Sequence, residues 1–260
     1  MLPIILHIPH SSKVIPQYVS DQFIISQAAL NRELNLMTDH FTDEILKPLQ
    51  VPKVNQVISK VSRLVVDMER FADDQLEEMS KVGMGAIYTH GSQKQLIRRK
   101  LEATETAYLL KHFYKAHHAA LNNVTSRTHQ QHNRAIIIDV HSYPSEPLPY
   151  ESDHKKIRPE ICIGTCDFHT PKTLADLLIN EFTSAGFDVA LNTPFAGVLI
   201  PNMFWQKKPD VMGFMLEIRR DVYLNEQTFK KHNHFKSTSQ KISNVLIRAI
   251  NEFNEVLPSG

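Results

Sequence analysis

The sequence predicts an α/β protein. Short apolar runs alternate with longer stretches of helical periodicity, which is the pattern of strands separated by helices. Ile136-Ile137-Ile138 is an unbroken β-branched run, typical of a strand that is covered on both faces. Neither an internal repeat nor a linker rich in Gly, Ser or Pro divides the 260 residues, so we expect a single domain over residues 1–260.

The predicted elements follow one another along the chain. Eight short apolar segments fit strands: Ile4–Ile8, Val54–Val61, Leu64–Met68, Ala86–Thr89, Ala135–Val140, Ile161–Thr165, Val189–Asn192 and Gly213–Ile218. Four longer stretches fit helices: Asp21–Leu49 and Gln93–Arg127, each with room for an interruption, and then Pro171–Ala185 and Glu226–Phe253. Prolines and aromatic residues concentrate in 142–159 and 194–209, which we interpret as loops over a functional site.

Composition limits the kinds of partner. Apolar residues make up 42% of the chain, and 29 basic residues against 28 acidic ones give a net charge of +1. A nucleic-acid or membrane-surface protein normally carries a basic patch, so we expect neither partner. No apolar run approaches the ~20 residues of a membrane-spanning helix. Two cysteines, Cys162 and Cys166, are too few for a disulfide framework, and a signal-peptide pattern is absent, so we expect a cytoplasmic protein.

Polar side chains follow two of the predicted strands. The segment His7–Ser12 comes directly after the first strand, and Pro9 cannot continue a central ladder, so His10 is expected in a loop just beyond it. Asp139 and His141 close the strand that begins with the β-branched run. Because they are two residues apart they share a face, where Asp139 is placed to support His141 at a metal site.

A third polar group, Glu217, stands near the end of the last predicted strand. A carboxylate there is costly unless it is paired or functional. Parallel neighbouring strands would bring His10, His141 and Glu217 to one sheet edge. Two imidazoles and a carboxylate suit catalytic zinc, with a further carboxylate as proton carrier. The alternatives are structural histidines and a Glu217 that pairs with Arg219 or Arg220.

Four segments resemble motifs of the N-formylglutamate amidohydrolases, in the family's order. His7–Ser12 (HIPHSS) resembles H-x-P-H-S-G, Ser62–Arg70 (SRLVVDMER) resembles S-R-x-V-V-D-x-N-R, Asp139–Ser142 (DVHS) resembles D-x-H-S, and Asn192–Gly197 (NTPFAG) resembles the start of N-x-P-F-x-G-G. More distantly, the segments 141–143 (HSY) and 214–219 (FMLEIR) are similar to the H-S-Y and F-x-x-E-L-R segments of zinc carboxypeptidases.

The resemblance implies a three-layer α/β/α fold around a central mixed, largely parallel sheet, of the phosphorylase/hydrolase-like and zinc-carboxypeptidase-like type. It implies His10 and His141 as zinc ligands and Glu217 as general base. The third ligand falls on Asp39, and Asp43, one helical turn on, stays open as a substitute.

The resemblance also assigns substrate binding to Arg63, Arg70 and Asn192. Guanidinium groups clamp carboxylates with paired hydrogen bonds, which suits an N-acyl acidic amino acid. Arg63 and Asp67 would share a strand face, so Asp67 is expected to orient Arg63. The alternative is that both arginines form surface ion pairs of little energetic consequence.

The chain departs from the family pattern at three positions. Glu69 stands in place of Asn, Val198 in place of a second Gly, and Ser12 in place of Gly. The leading hypothesis is a zinc amidohydrolase for N-formylglutamate or a related N-acyl amino acid. The others are a carboxypeptidase-like or cell-wall peptide hydrolase, and a non-catalytic carboxylate-binding protein of the same fold.

Overall fold

A six-stranded sheet organises the protein. The computed structural model describes residues 3–49, 54–151 and 157–256. The strands of the sheet are β1 (Ile4–Ile8), β2 (Asn55–Ile58), β3 (Ala135–Tyr143), β4 (Ile161–Gly164), β5 (Val189–Leu191) and β6 (Val211–Arg219). They lie in the order β2-β1-β3-β6-β4-β5, in which β4 runs antiparallel to β6 and the other neighbouring pairs are parallel. This confirms the mixed, largely parallel sheet expected from the sequence.

Helices connect and cover the strands. The α-helices are α1 (Gln17–Ser20), α2 (Gln27–Met37), α3 (Thr42–Ile45), α4 (Ala103–Leu109), α5 (Ala116–His132), α6 (Lys172–Ser184) and α7 (Phe235–Val256). Single turns of 3-10 helix occupy Lys47–Leu49, Glu78–Val82 and Arg220–Val222, and a π-helical turn, Leu110–Lys115, joins α4 to α5. Among the described residues, no helix is both long enough and apolar enough to cross a membrane.

Alternation along the strands divides the core between the two faces of the sheet. On one face Ile136 and Ile138 of β3 pack against α3, α6 and α7. On the other face Ile137 packs with Leu121 of α5 and with Ile200 of the loop before β6. All nine residues of β3 are buried, as the unbroken apolar run predicts. The result is the three-layer α/β/α arrangement.

Two predicted strands, Leu64–Met68 and Ala86–Thr89, are wrong. Both segments are irregular, and their backbone groups find partners outside a sheet ladder. The guanidinium group of Arg98 donates to the carbonyl oxygens of Leu64 at 2.6 Å and of Tyr88 at 3.2 Å. The N–H of Asp67 donates to the carbonyl of Ala86 at 2.8 Å. A buried side chain therefore satisfies carbonyls that a neighbouring strand would otherwise bind.

Three predicted helices begin later than expected, and the first of them divides as the sequence allows. The stretch Asp21–Leu49 divides into α2, α3 and a 3-10 turn, and the stretch Gln93–Arg127 becomes helical only at Ala103. The first residues of Glu226–Phe253 instead form the turn and the second strand of a hairpin between β7 (Leu224–Asn225) and β8 (Lys230–Lys231). Its turn is closed by the Asn225 side chain, which accepts hydrogen bonds from two backbone N–H groups.

Candidate active site

The sheet register aligns the polar residues at the strand ends. β1, β3 and β6 are parallel neighbours, and His141 pairs in register with Glu217. His7 pairs in register with Asp139 in the same way. Paired residues of adjacent strands point to the same side of the sheet, so these four side chains project from the face that α5 covers.

Three atoms that can act as metal ligands lie close together beyond the carboxyl ends of these strands. Nδ1 of His10 lies 3.2 Å from Nδ1 of His141, and Oδ2 of Asp39 lies 3.5 Å and 3.3 Å from those two nitrogens. All three residues are buried. Asp39 follows the end of α2, and its backbone N–H donates to the carbonyl of His10 at 3.0 Å. That bond holds the two ligand-bearing segments together.

Each donor is oriented by a polar partner on its far side. Nε2 of His10 lies 2.8 Å from Oδ1 of Asp67, and Nε2 of His141 lies 3.1 Å from Oδ1 of Asp139. Because carboxylates only accept, the N–H of each imidazole is on Nε2. Arg220 donates to Oδ1 of Asp39 at 3.2 Å, leaving Oδ2 to face the histidines.

Lone pairs therefore meet at the centre of this group. With both Nε2 atoms donating outward, both Nδ1 atoms present lone pairs to each other and to Oδ2 of Asp39, an arrangement that is repulsive unless a positive charge lies among them. Burial opposes protonation of His141, but the charge of Asp139 and hydrogen bonds to Asp139 and Asp39 raise the pKa of His141 well above its ordinary value. A proton or a metal cation meets this demand.

The spacing fits zinc. With ligand bonds of about 2.0–2.1 Å in a tetrahedron, neighbouring donor atoms lie about 3.3–3.4 Å apart. The three observed separations are 3.2, 3.3 and 3.5 Å. Outward hydrogen bonds from each imidazole to an aspartate are also the usual support of metal-bound histidine. His10, Asp39 and His141 can therefore hold a zinc ion with little rearrangement.

Glu217 stands next to this group without an ion-pair partner among the residues that the structure describes. Its Oε2 atom is buried and forms no hydrogen bond with the described residues. Arg219 instead pairs with Asp221 at 2.7 Å, and Arg220 with Asp39 at 3.2 Å. The predicted alternative of a structural ion pair is therefore wrong. Burial, reinforced by the charge of Asp39, raises the pKa of Glu217 to about 8, which suits a group that accepts and returns a proton near neutral pH.

A cavity of about 370 Å³ opens over these residues. His10, Asp39, His141 and Glu217 all line it, together with three arginines, Arg63, Arg70 and Arg220. Its far wall is formed by Tyr143, Tyr150 and the segment 194–196. Acidic and basic side chains thus share one cavity.

The arginines differ in how fully they are engaged. Arg63 is committed to Asp67, with its Nε and Nη2 atoms at 3.1 Å and 2.8 Å from Oδ2. For Arg70 the nearest carboxylate oxygens, on Asp67 and Glu77, are both 3.9 Å away. Its Nε atom is buried and has no hydrogen-bond partner in the described part of the chain. Arg70 is therefore the guanidinium group with donors to offer a ligand.

The alternative of surface ion pairs requires exposed arginine side chains, and neither arginine is exposed. The side chains of Arg63 and Arg70 are 13% and 25% exposed. Asp67 orients Arg63 as expected, although through a turn and not through a shared strand face. The burial of Glu69 and its proximity to Asp139 raise the pKa of Glu69 well above its usual range. That shift favours a neutral side chain beside Arg70.

Two sequence-predicted residues lie away from the cavity lining. Asn192 is exposed, with a positive φ of 54°, and its amide group bonds to the backbone and hydroxyl of Thr165. The structure does not bring Asn192 to the cavity, because its side chain closes a turn; Pro194 and Phe195 of the same segment line the wall instead. Asp43 lies on α3 and is not part of the donor group, which contains Asp39.

The comparisons with known proteins agree with this geometry. The family model for N-formylglutamate amidohydrolase matches residues 2–224. The chain belongs to the N-formylglutamate amidohydrolase family. It is a hydrolase of that family, as the motifs in the sequence predict.

Solved structures share the fold. An N-formylglutamate amidohydrolase from Ralstonia eutropha JMP134 is similar over 98% of this chain and 95% of that chain, with 20% identity and a TM-score of 0.83. The gene product Atu2144 from Agrobacterium tumefaciens is similar over 97% and 92%, with 18% identity and a TM-score of 0.71. No curated protein gives a significant match. At these identities the two structures show a common fold.

Two residues of the site are not indicated by the sequence patterns. The sequence suggests Arg220 only as a partner of Glu217, yet it binds Asp39 and a carbonyl of α2, that of Leu36, at 2.7 Å. Tyr88 donates to Oδ2 of Asp67 at 2.6 Å. Their carboxylate partners lie 181 and 21 residues away, which no local spacing reveals. The one available signal is the position of Arg220 immediately after a strand that carries Glu217.

A buried chain of hydrogen bonds continues behind the donor group. Oδ1 of Asp139 also lies 2.7 Å from Nδ1 of His7, and Nε2 of His7 lies 2.8 Å from Nε2 of His117 on α5. Burial lowers the pKa of His117 to about 2. The Nδ1–H of His7 donates to the Asp139 carboxylate, and its Nε2 lies within hydrogen-bonding distance of neutral His117. The helix is thereby connected through polar contacts to the orientation of His141.

Proposed function

We propose that this protein is a zinc-dependent hydrolase that cleaves the amide bond of N-formylglutamate or a related N-acyl amino acid. The observation that carries the proposal is the meeting of three acceptor atoms, on His10, His141 and Asp39, at 3.2–3.5 Å. Membership of the family supports the amide substrate. The charged cavity over the site supports a substrate that carries carboxylates.

His10, Asp39 and His141 would hold the zinc. When bound there, zinc supplies a Lewis acid that polarises the scissile carbonyl and makes water a stronger acid. Asp67 and Asp139 keep both imidazoles in the tautomer that presents Nδ1 to the metal. Arg220 performs the same positioning for the carboxylate of Asp39.

Glu217 is the general base and then the general acid. Its carboxylate accepts a proton as water adds to the carbonyl carbon, and it returns that proton to the leaving nitrogen as the C–N bond breaks. The products are a carboxylate and a free amino acid. Its raised pKa, about 8, and the lack of a fixed partner for Oε2 among the described residues leave it able to take both roles.

Arg70 binds a carboxylate of the substrate. Its open donors and its place in the cavity wall support this role. Arg63 contributes positive charge from the same wall while its guanidinium group stays bonded to Asp67. Glu69, with its raised pKa, does not compete for Arg70 as an ionised carboxylate would.

The experiment compares two aspartates of one segment. Zinc content of purified protein is measured by plasma mass spectrometry, and hydrolysis of N-formyl-L-glutamate is followed through release of free amine. Asp39→Ala is expected to lose zinc and activity, whereas Asp43→Ala, the matched control, keeps both. Retention of one zinc per chain and full turnover in Asp39→Ala would overturn the ligand assignment.

A substrate panel separates the remaining hypotheses. Peptides with free carboxyl termini are tested beside the N-acyl amino acids, since a carboxypeptidase-like or cell-wall peptide hydrolase would prefer them. A zinc-loaded protein that cleaves neither group would instead agree with a non-catalytic carboxylate-binding protein.

A further inference from the structure

A second cavity of about 320 Å³ adjoins the active-site cavity. Four residues line both: Glu69, Arg70, Ala196 and Met215. The two spaces therefore meet at one shared wall. The residues assigned to metal binding and proton transfer line only the first cavity, so the second lies beside the chemistry and not within it.

The second cavity is mainly apolar. Its lining includes several large apolar side chains: Met68, Phe71, Tyr114, Ile200 and Trp205. Two of these aromatic side chains are left accessible, with Phe71 58% and Trp205 38% exposed. Exposed aromatic groups around a concave apolar surface are typical of a ligand site.

A formyl group is too small to fill this space. Formyl contributes one carbon, and a carboxylate of glutamate is matched by Arg70 in the wall of the first cavity. An apolar space of about 320 Å³ next to that cavity has the volume of about ten water molecules at about 30 Å³ each. It would be filled by a substrate that extends past the shared wall.

We propose that the second cavity binds an apolar group of several carbons on the amide substrate, so that the enzyme prefers N-acyl amino acids that carry a larger apolar group than N-formylglutamate does. The apolar group is either a longer acyl chain or an apolar amino-acid side chain. This inference rests on the proposed amide hydrolysis, and it adds the class of substrate.

Two substrate series identify the source of the apolar group. In the first, the acyl chain of N-acyl-L-glutamate is lengthened from formyl to acetyl, butyryl and hexanoyl. In the second, formyl is kept and glutamate is replaced by leucine, methionine or phenylalanine. With the zinc-loaded protein, kcat/KM is expected to rise about three- to fourfold for each methylene that becomes buried, in one series. A formyl- and glutamate-restricted profile in both series would overturn the proposal.

Variants locate the effect in the cavity. Phe71→Ala and Trp205→Ala are each expected to reduce the preference for the longer substrate by about tenfold. Phe168→Ala is the matched control, because Phe168 is an aromatic residue with 40% exposure that lines neither cavity. An equal change in the control, or none in the two cavity variants, counts against the proposal.

A binding measurement separates this inference from the proposed function. Calorimetry with zinc-loaded Glu217→Gln protein gives the affinity for each compound without turnover. Affinity that increases with the apolar group supports the second cavity even if the wild type hydrolyses none of the compounds, a result that would refute only the amidohydrolase function. Hydrolysis of N-formyl-L-glutamate together with affinities that ignore the apolar group would refute only the present inference.

Discussion

Replacing Glu217 with Gln tests whether this carboxylate performs catalysis or supports the fold. The substitution keeps the size of the side chain and removes proton acceptance. We expect kcat to fall by roughly 10² to 10⁴, a barrier increase of about 3–5 kcal/mol, which is the usual contribution of general acid–base catalysis. Zinc content should not change, because Glu217 is outside the group of three donors.

The same substitution is expected to stabilise the zinc-free protein. Burial raises the pKa of Glu217 from 4.5 to about 8. Below about pH 4.5 the carboxyl is protonated in both the folded and unfolded states, so its raised pKa costs nothing. Between about pH 4.5 and 8 the carboxyl ionises in the unfolded chain but resists ionisation in the fold, and stability declines. At pH 7 this cost is roughly 3 kcal/mol, at about 1.4 kcal/mol per pH unit, and the neutral amide of the variant avoids it.

Urea unfolding of the zinc-free wild type and Glu217→Gln at about pH 4.5 and pH 7 measures the difference directly. The two proteins should unfold alike at the lower pH, and the variant should be more stable at the higher one. A zinc-loaded variant with wild-type turnover would refute the catalytic role. A variant that is less stable at neutral pH would refute the reasoning from burial.

Three further substitutions test the surroundings of the site. Arg70→Ala should lower kcat/KM for N-formyl-L-glutamate about tenfold to a hundredfold without loss of zinc, and the exposed ion-pair variant Arg99→Ala serves as its control; equal losses in both would remove the special role of Arg70. Asp67→Asn should weaken zinc affinity about 10- to 100-fold by disturbing His10, as judged by competition with a chelator; unchanged affinity would contradict its orienting role. Burial lowers the pKa of His118 to about 4, so unfolding takes up a proton as the pH falls below about 6.5, and urea unfolding should show that His118→Gln removes roughly 2 kcal/mol of the stability lost by about pH 5; parallel pH profiles would show that His118 is not kept neutral by the fold.

The position of the candidate site could be predicted from the sequence on one condition, that the strands carrying its polar residues are parallel neighbours. In an open α/β sheet, a histidine or carboxylate at the carboxyl end of a strand lies at the edge where ligands bind. In the structure β1, β3 and β6 are parallel neighbours, and the register of β3 with β6 places His141 beside Glu217. Alternation along the strand also predicts that Asp139, two residues before His141, lies on the same face and supports that histidine.

The loop around Arg63 could not be predicted in the same way. Its apolar run, Leu64 to Met68, has the composition of a strand, but those side chains fill a separate apolar cluster with α2. The carbonyl of Leu64 binds a guanidinium group 34 residues away. The apolar composition of a segment indicates that it is buried, but it does not indicate which groups form hydrogen bonds with its backbone.

Asn192 and Asp43 illustrate a second limit. A residue inside a motif can stabilise a turn and not contact a ligand. Asn192, which has a positive φ and bonds to Thr165, is an example. The resemblance points to Asp39, and helical spacing keeps Asp43, one turn on, as a substitute. In the structure α2 ends at Met37 and a left-handed residue, Phe41, redirects the chain before α3, so the two aspartates do not share a helix face.

Arg98 also has a consequence for recombination between family members. The segment 62–70 carries residues that contact both the imidazole of His10 and the cavity, but its shape depends on a side chain encoded beyond it. A chimaera that exchanges 62–70 alone would combine a new loop with an Arg98 that belongs to the original sequence. Segments 62–70 and 86–98 of this chain should therefore be exchanged together.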